Sequence, residues 1–248
     1  MRAPLVLAVI PARLGSTRFA NKVLYPYRGQ PLIYYVWRAA ARAKQIDRLV
    51  IATDSPKIET AARSFGAEVV RTSSRHQTGS DRAAEVARKI GGDIVLNIQA
   101  DNLGLLPGPV DRALVAMKRY RSIEAASLAA PIASDAELYN PNCVKVVLSR
   151  KREALWFSRF PIPYLQHGPQ TNHAARYHFF RHIGIYLFRR ETLLAFGRTP
   201  RTTTEMAESL EQLRLLEMGR RIRIFHTRMR SVSVDSPQDV AKLDAIYR

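Results

Sequence analysis

Cysteine is almost missing from this 248-residue chain: Cys143 stands alone, so no internal disulfide can form, and the expectation is a reducing, cytoplasmic setting. No apolar run approaches the roughly 20 residues that span a bilayer, so no membrane is expected as a partner. Met1 to Ile10 has the look of a short signal peptide, but it meets Arg13 without a convincing cleavage site and reads as a first strand. Acidic residues are scarce as well, with 21 Asp and Glu against 39 Lys and Arg and a net charge of +18. Such a surplus attracts polyanions, which makes nucleic acid the partner class to weigh. The cations are spread through most segments, with no long basic run and no basic stripe interleaved with aromatics. Specific nucleic-acid binding is therefore set aside, and the surplus is read as background that assists an anionic substrate. Neither a Walker loop nor G-x-G-x-x-G occurs, and His167, His173 and His178 lack the spacing and the cysteines of a zinc site. A chain of this length buries roughly 70 to 75% of its unfolded surface, so one domain suffices without disulfides or a structural metal.

What the chain does have is a run of strands that leave no face for water. Pro4 to Ile10 reads as a strand, apolar at every position from Leu5 on, as a strand inside a parallel sheet covered on both sides must be. It runs into Pro11, Ala12, Arg13, Gly15, Ser16, Thr17, Arg18 and Lys22. Ligands of open α/β sheets sit at the carboxyl ends of strands, so Arg13, Arg18 and Lys22 emerge where a triphosphate could be held. Arg meets phosphate in bidentate fashion and Lys as a point charge, and Gly15 allows close approach. Leu49 to Ala52, Val69-Val70 and Ile94 to Ile98 read as further strands, with helices starting near Pro31, at Ser55-Pro56 and over Pro107 to Tyr120. Asp54 reads as structural. Thr78-Gly79-Ser80 places hydroxyls and bare amides ahead of a helix over Asp81 to Ile90, whose positive end suits an anion or a base edge, with Ser80 as the N-cap.

The strand Ile94 to Ile98 delivers Gln99-Ala100-Asp101 to the same edge, and a carboxylate opposite those cations suits Mg²⁺, which takes one or two carboxylates plus substrate phosphates. Glu124 to Ile132 and Cys143 to Leu148 are expected strands, and Leu165 to His178 a polar loop. In His182 to Leu187, period two puts His182, Gly184 and Tyr186 on one face and Ile183, Ile185 and Leu187 on the other, the first being a wall fit for a polyhydroxylated sugar. Glu205 to Met218 is expected as one amphipathic helix with Met206, Leu210 and Leu213 inward and Glu208, Glu211 and Gln212 on a solvated face, ended by Gly219. Ile222 to Phe225 and Val232 to Val234 are strands, the second followed by Asp235 and by a helix start at Ser236-Pro237-Gln238-Asp239.

These stretches together resemble the sugar-acid cytidylyltransferases, and most closely the CMP-Kdo synthetase family, whose sugar is 3-deoxy-manno-octulosonate. The likeness rests on Arg13-x-x-Ser16-x-Arg18 with Lys22, Gly29-x-Pro31-Leu32-Ile33, His76-Gln77-Thr78-Gly79-Ser80-Asp81-Arg82, Asn140-Pro141-Asn142-x-Val144-Lys145, Ala154 to Pro163, His182-x-Gly184-Ile185-Tyr186, Glu208 to Arg214 and Val234-Asp235-Ser236-Pro237, in the family's order over nearly the whole chain. It implies a three-layer, nucleotide-diphospho-sugar transferase-like (Rossmann-like) α/β domain with a smaller sugar-binding and dimerisation region around 135–190. It implies CMP transfer from CTP to the anomeric hydroxyl of the sugar acid with release of pyrophosphate, in the cytoplasm, by a homodimer serving lipopolysaccharide biosynthesis. Carried over residue by residue, Arg13, Lys22 and Asp101 are catalytic, and Pro11, Ala12, Ser16, Arg18, Thr78, Gly79, Ser80, Arg82 and Gln99 bind nucleotide with Arg13 and Lys22. Gln99, Arg159, His182, Tyr186, Glu211 and Gln212 face the sugar, with Arg159 for its carboxylate, and Asp101 and Asp235 hold Mg²⁺. One departure stands out: the family's Gln-Gly-Asp-Glu-Pro is here Gln99-Ala100-Asp101-Asn102-Leu103. That change leaves another acidic acceptor, such as an amino-substituted Kdo, a sialic-type acid or a phosphonate, as the alternative reading.

Overall fold

The computed structural model describes residues 3–15, 19, 21–229, 234 and 236–247. Within them the chain order is β1 (Val6–Ala12), a 3₁₀ turn at Lys22–Leu24, the short hairpin β2 (Pro26–Tyr27) and β3 (Gln30–Pro31), α1 (Leu32–Ala40), β4 (Arg48–Thr53), α2 (Pro56–Ser64), β5 (Glu68–Arg71), α3 (Gly79–Ile90), β6 (Ile94–Ile98) and α4 (Pro107–Arg119). There follow β7 (Ala125–Pro131), α5 (Asp135–Tyr139), β8 (Lys145–Leu148), β9 (Ala154–Ser158), α6 (His173–Arg176), β10 (Phe180–Arg189), α7 (Arg190–Phe196), α8 (Thr203–Glu208), α9 (Gln212–Glu217), β11 (Ile222–His226) and a 3₁₀ segment at Pro237–Ala245. None of the helices in the described residues is long and apolar enough to cross a membrane.

The main sheet runs β11-β7-β10-β6-β1-β4-β5, with β8 beside β10 and β9 beside β8. β6, β1, β4 and β5 are parallel neighbours and β11 is parallel to β7, whereas β10 lies antiparallel to both β6 and β7. The sheet is thus mostly parallel, with β10 reversed at its middle and β9 reversed at its margin, antiparallel to β8. The reversal of β10 has a consequence for the site: the carboxyl ends of β1 and β6 share an edge with the amino-terminal half of β10.

The unbroken apolar character of β1 has its cause in two cores. Val6, Ala8 and Ile10 pack with Leu32, Ile33 and Val36 of α1, Ile58 of α2 and Val110, Leu114 and Met117 of α4. Leu7 and Val9 pack on the opposite face with Ala83, Val86 and Ala87 of α3, Leu193 and Phe196 of α7 and Leu213 of α9. Helices therefore cover both faces, which is the three-layer arrangement.

Several local expectations are corrected. The predicted helix 205–218 is two helices, because Ser209 takes the left-handed conformation (φ 51°) at the end of α8 and reverses the chain. The turn leaves Met206 half exposed, buries Leu210 and Leu213, and brings Glu211 and Gln212 inward from the solvated face assigned to them. The N-cap of α3 is Thr78, whose side chain accepts from the Asp81 N–H while Asp81 accepts from the Thr78 N–H; Ser80 lies inside the helix. The polar loop 165–178 contains α6, and Asp135 at the start of α5 fastens it by accepting from the backbone N–H groups of His173 and Ala174. Asp54 is structural as expected, 2.8 Å from Arg82. The expected strand at Val232–Val234 lies largely outside the described residues.

Candidate active site

A cavity of about 780 Å³ opens at the shared strand edge. Pro11, Ala12, Arg13 and Lys22 come to it from the end of β1, Thr78, Gly79 and Arg82 from the start of α3, and Gln99 and Asp101 from the end of β6. His182 and Tyr186 of β10, Arg159 beyond β9, and Glu211 and Gln212 at the α8–α9 turn complete the wall. All of these were candidates on sequence grounds, and the fold brings them into one chamber. Ser80 stands behind the wall rather than in it. Ser16, Arg18 and Asp235 lie outside the described residues.

At the β1 and β6 ends the cation and the acid meet: Lys22 Nζ is 3.0 Å from Asp101 Oδ2, with the lysine nearly buried and the carboxylate half open. The turn holding Asp101 is closed by backbone bonds from Asn102 N–H to Gln99 O and from Leu103 N–H to Asp101 O. Asn102, which replaces a carboxylate expected from the family pattern, donates its side-chain amide to the Gly184 carbonyl at 2.7 Å. A carboxylate there could only accept, so this link from the Asp101 turn to β10 depends on the amide. Gly184 lies close under the site, since a Cβ there would lie 3.1 Å from the Gln99 amide group.

The α3 end is occupied by the protein's own anion. Glu211 accepts from both the Ser80 N–H and the Ser80 hydroxyl at 3.1 Å, and Asn97 Nδ2 donates to Ser80 Oγ at 3.0 Å. Burial pushes the Glu211 carboxyl up from its usual range, against the hydrogen bonds from Ser80 and Thr78 that favour the ionised form. The amides expected to face a ligand anion thus serve Glu211 at Ser80. Gly79 packs closely, because a Cβ there would lie 3.1 Å from Pro11 Cγ. Arg82 is nearly buried and directs its guanidinium to Thr72 and Asp54.

On the β10 side, the His182 imidazole is pushed down to about 3 by burial, so it is neutral near pH 7. Its Nε2 is 2.7 Å from Ser127 Oγ, while Tyr186 donates its hydroxyl to Gln212 Oε1 at 2.9 Å. Arg159 was expected to meet a substrate carboxylate. Its Nε donates to Glu208 O at 2.7 Å, its Nη1 to Pro141 O at 2.9 Å and its Nη2 to Ser209 O at 3.4 Å, which props the α8–α9 turn. A guanidinium has five N–H donors, so the fork keeps unspent capacity toward the cavity it lines.

Sequence reasoning missed Ser127, Arg201 and the His76–Glu85 pairing, and named Asn102 only as a departure from the family pattern. Arg201 and His76 line the cavity, and Glu85 holds His76 while accepting from Ser73 N–H and Lys89. Burial alone would raise the Glu85 carboxyl, but those partners hold it at about 2. Ser127 did leave a trace in the sequence, as the lone hydroxyl in the run Ala125-Ala126-Ser127-Leu128-Ala129-Ala130.

Comparison with known proteins follows the same line. A family model described as cytidylyltransferase matches residues 7–222. The 3-deoxy-manno-octulosonate cytidylyltransferase of Geobacter metallireducens is 40% identical over 243 residues, covering 96% of this chain and 96% of that one. Its counterpart in Chlorobium chlorochromatii is 41% identical over 244 residues, covering 98% and 96%. Among solved structures, a CMP:2-keto-3-deoxy-manno-octonic acid synthetase complexed with CTP superposes with a TM-score of 0.88 at 36% identity, covering 98% of each chain. With identities of this size extending from end to end, the chain belongs to the cytidylyltransferases, a family of nucleotidyltransferase enzymes, and within them to the 3-deoxy-manno-octulosonate branch.

Proposed function

We propose that the enzyme transfers CMP from CTP to the anomeric hydroxyl of 3-deoxy-manno-octulosonate and releases pyrophosphate. The observation that carries this reading is the single cavity in which the Lys22–Asp101 pair faces a wall of His182, Tyr186, Glu211 and Gln212. One side offers charge for a triphosphate, and the other offers hydrogen-bonding groups for sugar hydroxyls.

The hydroxyl oxygen of the acceptor attacks the α-phosphorus and gives up its proton to solvent, the bond to the β-phosphate oxygen breaks, and pyrophosphate leaves. In phosphoryl transfer, positioning and charge neutralisation carry most of the acceleration. Arg13 and Lys22 neutralise charge on the departing pyrophosphate. Gln99, Tyr186 and Gln212 orient the acceptor, and the two free N–H groups of Arg159 meet its carboxylate. His182, neutral and hydrogen-bonded on Nε2, orients and does not exchange a proton.

Asp101 fits a Mg²⁺ ion. It is a half-open carboxylate beside the cation that would meet phosphate, and Mg²⁺ binds through one or two carboxylates plus substrate oxygens. Asp235 is the second carboxylate expected. When bound, Mg²⁺ lowers the pKa of the acceptor hydroxyl and offsets charge at the α-phosphate.

The same reading places the enzyme in the cytoplasm, supplying an activated acid for lipopolysaccharide. The chain is one domain, with residues 135–190 forming the acceptor side and a homodimer contact. Support for self-association comes from Leu155, Trp156, Phe160 and Tyr164, which are exposed on and after the edge strand β9. Pyrophosphate release from CTP and Mg²⁺ with a panel of acidic acceptors tests the whole proposal. Turnover is expected with the octulosonate, and preference for an amino-substituted, sialic-type or phosphonate acceptor would overturn the choice of sugar. The Asn102 amide on Gly184 makes that panel informative, because it shapes the acceptor wall.

A further inference from the structure

Opposite β7, the register of β10 slips between Ile183 and Tyr186: Ile183 faces Leu128 and Tyr186 faces Ser127. Gly184 and Ile185 therefore have no partner residues on β7, and the bulge leaves carbonyls to be satisfied by other means. Ser127 is fully buried beneath it, with Oγ 2.7 Å from Ile185 O, 3.2 Å from Ile183 O and 2.7 Å from His182 Nε2. A carbonyl only accepts, and a hydroxyl has one proton. That proton is committed to Ile185 O, so the short contact to His182 is a bond in which Nε2–H donates to Ser127 Oγ.

The remaining steps follow from that direction. With its proton on Nε2, the neutral ring has a lone pair on Nδ1, and Gln212 Nε2 faces Nδ1 at 3.5 Å. Gln212 Oε1 in turn accepts from the Tyr186 hydroxyl at 2.9 Å. Reversing the Gln212 amide would set its oxygen against the Nδ1 lone pair and its N–H₂ against Tyr186. We propose that Ser127 is a positioning residue: by spending its proton on the bulge it fixes the Nε2–H tautomer of His182, and through it the amide orientation that Gln212 presents to the acceptor. Burial of the ring agrees, since it keeps His182 neutral. The inference rests on His182 and Gln212 lying on the acceptor side of the cavity.

The test joins spectroscopy to kinetics on the full-length enzyme. In ¹⁵N-histidine-labelled protein near pH 7, with His182 assigned by its disappearance in His182→Asn, the expected signature is a protonated Nε2 and a bare Nδ1. An Nδ1–H tautomer or an imidazolium overturns the inference without any variant at position 127. Ser127→Ala is expected to abolish the tautomer preference and raise KM for the acceptor roughly tenfold, a loss of the size seen when an orienting partner is removed, while KM for CTP moves less than about twofold. Ser127→Thr, which keeps the hydroxyl, retains the wild-type tautomer and most of the acceptor affinity. Parallel rises in both KM values, or a lowered melting temperature with unchanged kinetics, assign Ser127 a structural role only and refute the proposal. Failure of the wild type to use any acidic sugar sinks the acceptor reading itself, an outcome distinct from an active enzyme indifferent to Ser127→Ala.

Discussion

Replacing Arg214 by Met removes the cation that anchors α9, and the loss can be estimated from its surroundings. Arg214 is 2% exposed and Glu205, on α8, is 1% exposed. The guanidinium donates Nε to one Glu205 oxygen and Nη2 to the other at 2.7 Å, and Nη1 lies 3.0 Å from Asp81 of α3. The same Nη1 reaches Phe196 O and Thr199 O, and the Phe196 ring lies 3.9 Å from the guanidinium carbon. Removing one partner of a buried pair leaves the other charge desolvated, at a cost of roughly 3 to 5 kcal/mol, with the lower end favoured here because Arg201 Nε stays 3.3 Å from Glu205. For a chain of this size each kcal/mol moves the melting temperature by about 2 to 4 °C, so a fall of roughly 6 to 20 °C is expected. Glu211 and Gln212 begin the helix that Arg214 holds, so KM for the acceptor should rise as well. Calorimetry and urea melts of Arg214→Met, Glu205→Leu and the double variant give the coupling directly. The double variant should recover much of the loss, because a buried ion pair exchanges for apolar side chains at little net cost. A single-variant loss below about 1 kcal/mol, or additive losses in the double variant, would refute the claim that this pair fastens the turn.

Other outcomes follow from the site. Asp101→Asn should lower kcat by roughly a hundredfold with melting shifted by less than about 1 kcal/mol, since its partner Lys22 is met at a half-open carboxylate; near-normal turnover would remove Asp101 from the metal site. Glu85 is held at about 2 against an ordinary value of 4.5, so the stability it contributes is complete above about pH 4.5 and is lost as pH falls toward 2. Urea melts of Glu85→Gln across that window should show a flatter pH dependence, and an unchanged slope would count against the His76–Glu85–Lys89 cluster. Gly184→Ala crowds the Gln99 amide at 3.1 Å and should raise acceptor KM severalfold with little change in KM for CTP; equal changes in both would place Gly184 away from the acceptor.

Much of this architecture is written plainly in the residues. β1 and β6 are apolar at nearly every position because helices cover both faces, and that pattern leaves few alternatives. The α8–α9 break is hidden because Ser209 adopts a left-handed conformation without being glycine, while Leu210 and Leu213 continue a helical spacing across it. The β10 bulge is hidden for a different reason. It inserts two residues, so the inward and outward alternation of His182, Gly184 and Tyr186 survives it unchanged. The candidate site was legible where a charged group ends an apolar strand, as at Lys22 and Asp101. It was not legible where a side chain acts through another, as Ser127 does beneath His182.

Two hydrogen bonds tie the two halves of the chamber. Glu211 grips Ser80 by its amide and its hydroxyl, and the next residue in the chain is Gln212. Any displacement of the first turn of α3 is therefore handed on, within a single peptide unit, to the Gln212 amide.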